Sequence, residues 1–277
     1  VTDVPAPGSR AAARAAARRR HSRRSTAIAA VSTVIVVGVL VALIVSAPGW
    51  PAVRETFFSW DAFKTSFPDV LSGFWLDIKL FVICEAVVLV LGLVVALARS
   101  STAPALFPIR AIATLYTDIF RGIPTILLVY LIGFGLPALE LNGVPTDPVV
   151  LGGIAIILSY GGYVAEVYRA GIDSIHPSQK AAGLAVGLTP NQTMRHVVLP
   201  QAVRRVAPPL LNDFISLTKD VALVATLGPL EAFRQAQIAA ASDFNYTPLI
   251  AAALLYLCVT IPLARIVERM QRRERLK

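Results

Sequence analysis

Long apolar runs separated by short polar breaks set the pattern of this chain. Runs near 26–47, 72–98, 109–136, 148–168, 206–227 and 247–268 each approach or exceed the roughly 20 residues that a helix needs to cross a bilayer. Backbone polar groups in hydrocarbon must be satisfied within their own segment, so runs of this length read as helices. The pattern predicts an all-α fold, a polytopic membrane helical bundle of about six transmembrane helices. Pro124, Pro208 and Pro209 fall inside these spans, where neighbouring helices can resatisfy the freed backbone groups. The stretch 48–70 carries both charge signs and several aromatics, which suits a membrane interface.

Composition agrees: 56% of the 277 residues are hydrophobic and only 16% charged, below the quarter usual for soluble domains. The net charge of +9 gathers at the two ends. Arg10, Arg14, Arg18, Arg19, Arg20, Arg23 and Arg24 precede the first run, and Arg265, Arg269, Arg272, Arg273, Arg275 and Lys277 close the last. Basic clusters beside spans mark the cytoplasmic side, and six spans return the second cluster to the side of the first. The expected location is therefore the plasma or inner membrane, multi-pass, with both termini cytoplasmic. The basic ends also suit anionic membrane lipids. No soluble basic domain remains, so nucleic-acid binding is excluded.

The expected organisation is a basic tail at 1–25, disordered or a loose lipid-facing helix, an N-terminal transmembrane helix at 26–47, a multi-span helical domain at 72–268 and a basic tail at 269–277. The first run is too long for the core of a secretory signal and lacks a clear cleavage site, so it reads as retained. Cys84 and Cys258 read as two small buried hydrophobes. No metal or nucleophile constellation surrounds His21, His176 or His196. The residues do not point to an enzyme.

One stretch departs from the pattern. Between the fourth and fifth runs lies "QKAAGLAVGLTPNQTMRHVVLPQA", residues 179–202. Pro177 and Ser178 suit a helix start, and Gly187 suits a helix stop because it accepts positive φ. Thr189, Pro190 and Gln192 then form a capping box that restarts a helix, and Pro200 is expected to break it. Two short helices with a glycine bend would lie between two spans. An ordinary capped loop and a rigid element that docks into a partner's groove both fit this outline; a DNA-reading hairpin shares it, but one pinned between spans with few basic residues could hardly enter a major groove.

The spacing resembles the EAA loop of permeases of ATP-binding-cassette importers. Ala181, Ala182 and Gly183 are followed by three residues, Gly187, nine residues and "VVLP" ending at Pro200. "GGYVAEVYRAGIDSI" at 161–175, "VVLPQAVRRVAPPLLNDFISLTKD" at 197–220 and "FRGIPTILLVYLIGFGLP" at 120–137 are similar to patterns of the polar amino-acid uptake permeases. The resemblance covers about 72–268 and implies a type I importer fold: a five-helix core, here with one extra N-terminal span, and cytoplasmic coupling helices. It implies an ATP-driven bacterial amino-acid importer in which Gln179, Ala181, Ala182, Gly183, Gly187, Leu199 and Pro200 form the ATPase-coupling loop. The implied partners are a cytoplasmic ATP-binding subunit, a second permease (self or sister chain) and an external substrate-binding protein. ATP and Mg would belong to the partner ATPase; the chain holds no G-x-x-x-x-G-K-[ST] phosphate loop and is expected to bind no cofactor. The family's glutamate is replaced by Ala181, which puts an ion pair at that point in doubt.

Ionisable groups inside spans are costly and so are candidates for the translocation path. These are Glu85, Asp118, Arg121, Glu166, Lys219 and Asp220, with Tyr163 as a ring that would stack on substrate or serve packing. Asp118 and Arg121 lie three apart and are placed to neutralise each other; Glu166 and Arg169 share that spacing as a structural pair or a gate. Lys219 and Asp220, adjacent on a helix, are expected to point in different directions. Asp77 and Lys79 are read as interfacial snorkelling residues. The alternative function is an ion-coupled secondary transporter of small polar solutes, driven through Glu85, Asp118 or Glu166.

Overall fold

The computed structural model describes residues 10–101 and 103–275, and helices and turns account for all regular structure among them. The chain divides into two compact units, Val1–Thr56 and Phe57–Lys277. The first holds α1 (Arg10–Val45) and all but the last residue of α2 (Trp50–Phe57). Valine, isoleucine and leucine side chains are exposed along the apolar part of α1, as a lipid-facing span requires. Of the basic tail expected at 1–25, residues 1–9 lie outside the described residues, and residues 10–25 continue α1 as helix. Residues 276 and 277 of the C-terminal tail likewise lie outside them.

The second unit is built around α3 (Trp60–Ser100), α4 (Phe107–Gly122), α5 (Thr125–Ala138) and α6 (Pro148–Asp173). Two short helices, α7 (Pro177–Ala185) and α8 (Pro190–Thr193), precede a π-helical turn over Met194–Val198. Then follow α9 (Leu199–Asp220), a 3-10 turn over Val221–Leu227, α10 (Ala232–Asp243) and α11 (Thr247–Arg275).

α6 is the central helix, with α3, α4, α5 and α9 packed around it. Small residues on α6 allow this: Gly161 lies against Leu91 and the Tyr116 hydroxyl. Cys84, Val88, Ile156, Val164, Leu217 and Val224 join α3, α6, α9 and the 3-10 turn in one apolar core. A second core at the far end joins Val70 and Phe74 of α3 to Ala232 and Ala236 of α10 and Ala252 of α11. Large apolar side chains of α3, α4, α5 and α11 remain exposed, among them Val90, Ile112, Leu131 and Leu257. On a membrane protein such faces meet lipid or another chain.

Three boundaries differ from the expected ones. The run at 109–136 is two helices, α4 and α5, bent by 103°. Pro124 pushes Ile123 into extended backbone and withholds an N–H, which ends α4. α3 starts at Trp60 rather than 72, capped by Ser59, whose Oγ accepts from Ala62 N at 3.3 Å. The run at 206–227 is the second part of α9 plus the 3-10 turn, and α9 carries too many polar residues to count as a spanning helix by composition. Among the described residues four helices are long and apolar enough to span, or five spans if α4 and α5 count as one. Cys84 is buried as expected, but Cys258 is exposed on α11.

Candidate functional site

The stretch between α6 and α9 folds into a tight hairpin. His176 caps α7, its Nδ1 accepting from Ser178 N at 3.2 Å, a cap the sequence reading did not name. Gly187 ends α7 with φ +88°, in the left-handed region that glycine tolerates. The Thr189–Gln192 capping box forms: Gln192 N donates to Thr189 Oγ1 at 3.3 Å and Thr189 N to Gln192 Oε1 at 2.9 Å. Pro200 does not break the chain. It sits in the first turn of α9, where its missing N–H costs little, and the π-helical turn carries the backbone straight into that helix.

The hairpin is seated rather than loose. Gly183 is buried against Thr193, so that a Cβ there would meet Thr193 Cγ2 at 2.7 Å. Gln201 Nε2 donates to Gln179 Oε1 at 3.3 Å and to the Val197 carbonyl at 2.8 Å, tying α7 to α9. Arg205 reaches the Ser174 carbonyl at 2.6 Å. Ala181, Ala182 and Leu199 are exposed, and so are Leu184, Val186 and Met194. Lys180, Leu184, Pro190, Thr193, Met194 and Val198 line a groove of 180 Å³ on this surface.

Inside the bundle, Glu166 is the meeting point of three helices. Arg99 of α3 reaches it at 2.7 Å, Arg169 of α6 at 2.8 Å, and Arg121 of α4 at 3.7 Å. Arg121 therefore turns to Glu166 rather than to Asp118. Asp118 instead lines a groove with Arg99, Arg110 and Arg169. The i,i+3 spacing put Asp118 within reach, but a part-buried carboxylate with two other guanidinium partners offers the stronger field.

Beside this cluster lies a cavity of 300 Å³ lined by Thr125, Tyr160, Tyr163, Asp213, Ser216, Lys219 and Asp220. Lys219 and Asp220 thus share one cavity, against the expectation that they diverge; the helix tightens into 3-10 geometry directly after Asp220. Tyr160 Oη donates to Asp220 Oδ2 at 2.8 Å. Tyr163 donates to the Arg121 carbonyl at 3.2 Å, and the Arg121 guanidinium lies over its ring at 5.7 Å. Glu85 is buried within electrostatic range of Asp213 and does not line the cavity. Asp213, Ser216 and Tyr160 were missed in the sequence. Asp213 was detectable as an acid inside an expected span, with Ser216 and Asp220 following at helical spacing on its face.

At the opposite end of the bundle Asp77 is buried, not interfacial. Its Oδ2 accepts from Tyr256 Oη at 2.8 Å and from Ala232 N at 3.3 Å. Lys79 is exposed beside Trp75, 5.8 Å from the ring, as an interfacial residue would be. Glu231 caps α10, accepting from Phe233 N at 2.8 Å and Arg234 N at 2.6 Å. Burial, with Asp77 beside it, pushes the Glu231 carboxyl from 4.5 up to about 7. The folded chain then holds a proton that the unfolded chain releases. This contribution is complete below about 4.5 and is lost as pH rises through about 7. The melting temperature is expected to fall across that window and to lose this slope in Glu231→Gln; an unchanged slope in the variant would refute the assignment.

A helical membrane bundle that pairs a polar internal cavity with a capped hairpin at one end has the parts that a transport subunit needs. Residues 89–276 match the binding-protein-dependent transport system inner membrane component family, and the chain belongs to it. It is 35% identical to the arginine transport system permease protein ArtQ of Bacillus subtilis, over 74% of this chain and 92% of that protein. It is 33% identical to the glutamine transport system permease protein GlnP of Escherichia coli, over 79% of this chain and 99% of that one. Among solved structures, an amino acid ABC transporter crystallised with histidines matches at TM-score 0.70 and 30% identity, covering 78% of this chain and 98% of that one. The methionine ABC transporter MetNI shares the fold at TM-score 0.59 and 20% identity. The family works with an ATPase and a substrate-binding protein, so ATP hydrolysis belongs to a partner subunit; the ion-coupled alternative gains no support.

Proposed function

We propose that this chain forms the translocation path of an ATP-driven amino-acid importer and couples to its ATPase through the 179–200 hairpin. The observation that carries the reading is the seated hairpin itself. It is held from within by Gly183 on Thr193 and Gln179 on Gln201, and it presents Leu184, Val186, Met194 and Leu199 outward. Exposed apolar side chains on a rigid, capped element beyond the membrane spans suit a groove on a partner protein. Closure of two ATPase subunits on ATP and Mg would then move α7 and α8 as a unit, and α9 would carry the motion to the cavity at its far end. A second permease, self or sister, would complete the path. An external binding protein would deliver substrate at the end bearing α10, with both termini on the ATPase side. Ala181 in place of the family's glutamate leaves docking to shape and apolar contact.

The test is co-purification in mild detergent with candidate ATPase subunits. Wild type is expected to retain an ATPase. Replacing 179–200 by a flexible linker, or Gly187→Pro, is expected to lose it while the bundle stays folded, because proline cannot adopt φ +88°. Binding that ignores the hairpin would overturn the reading.

A further inference from the structure

We infer that the cavity between α5, α6 and α9 selects amino acids whose side chain carries a positive charge, and that Asp213 reads that charge. The inference rests on the permease reading and names its substrate class. The argument begins with the charge balance of the wall. The cavity is lined by one cation, Lys219, and two carboxylates, Asp213 and Asp220; the remaining polar lining is the hydroxyls of Thr125, Tyr160, Tyr163 and Ser216. Arg121 does not line the cavity; it lies over the Tyr163 ring and is drawn to Glu166 at 3.7 Å.

An α-amino acid brings one carboxylate and one ammonium. Lys219 matches the first and Asp220, already oriented by Tyr160 at 2.8 Å, matches the second. That leaves Asp213. Its Oδ2 is buried and has no hydrogen-bond partner. A carboxylate oxygen withdrawn from water with nothing to accept from is costly, and a donor of opposite charge repairs it best. Glu85 is a second buried carboxyl group within electrostatic range of Asp213. A neutral side chain would leave Asp213 unanswered, and an acidic one would be repelled. A guanidinium or ammonium group satisfies it. The cavity, at 300 Å³, suits one amino acid rather than a peptide.

The test uses the full chain purified with the ATPase that it retains, in lipid nanodiscs, and compares L-arginine with L-citrulline. The two share a shape and differ in the charge of the terminal group. Ligand binding is read from thermal protection over a concentration series, with L-glutamate as the opposite charge. Arginine is expected to half-saturate at a concentration at least about tenfold below citrulline. Asp213→Asn should bring the two within about twofold of each other, while Asp213→Glu, which keeps the charge, should keep the preference for arginine. Citrulline or glutamate matching arginine in wild type would overturn the inference, as would a preference that survives Asp213→Asn. If the ATPase is retained but none of the three protects, this inference fails and the permease reading stands. If no ATPase is retained, the permease reading itself fails. Should Asp213→Asn not fold, the wild-type comparison and Asp213→Glu still decide the matter.

Discussion

Glu166→Leu is expected to destabilise the bundle by about 3 kcal/mol, because it leaves guanidinium groups from three helices without their shared acceptor. Arg99 dominates that cost. Its side chain is only 11% exposed, whereas Arg121 and Arg169 are 40% and 38% exposed and can turn to solvent. Arg169 also keeps Asp173 at 3.4 Å. The loss should therefore be recovered in large part by adding Arg99→Met, which removes the stranded charge and fills its space with an apolar side chain. Thermal unfolding in detergent of wild type, both single variants and the double variant gives the coupling directly. A Glu166→Leu variant within about 0.5 kcal/mol of wild type would show that the cluster behaves as exposed surface ion pairs do. The cluster joins the same ends of α3, α4 and α6, and α7 begins within a turn of the end of α6. Any motion of the hairpin relative to these helices acts near this clamp.

Local chemistry made the hairpin legible in the sequence. Thr189, Pro190, Gln192 and Gly187 act within a few residues of one another, and capping depends on little else. The helical class was legible for a similar reason, since apolar run length is a local property. What the sequence hid were events decided by distant partners. Asp118 and Arg121 had the spacing of a pair, yet Glu166, on another helix, takes Arg121. Asp77 had the position of an interfacial residue, yet α10 and α11 fold over it. α10 itself is short and mixes alanine with polar residues, so its role as a lid over α3 did not stand out as an apolar run. The bend at Pro124 belongs to a third kind. A proline in a membrane span is compatible with both a straight and a broken helix, and packing of α5 against α6 selects the broken one. The candidate site was half visible for the same reason. Tyr163, Lys219 and Asp220 were named as candidates because charge or a ring inside a span stands out, whereas the convergence of Tyr160, Asp213 and Ser216 on them needs the crossing of α6 and α9.

That lid makes Gly73 the position where a single carbon should cost most. Gly73 sits on α3 directly beneath the start of α10. A Cβ there would lie 2.5 Å from the Glu231 carbonyl carbon and 2.6 Å from Ala232 N. Both neighbours are backbone, so no side-chain rotation relieves the clash. The chain at 231–232 must move away from α3, and with it the cap of α10 and the hydrogen bond from Ala232 N to Asp77. Gly73→Ala is expected to cost about 3 kcal/mol, the upper part of the range for overpacking, despite the gain of about 1 kcal/mol that alanine brings to a helix interior. Gly135→Ala is the matched control. It adds the same methyl to α5 with nothing within 4 Å, so it should be neutral or mildly stabilising. Thermal unfolding of the two variants side by side separates contact from propensity. If both behave alike, α10 does not rest on α3 as closely as the backbone distances require, and the seal between α3, α10 and α11 at that end of the bundle loses its basis.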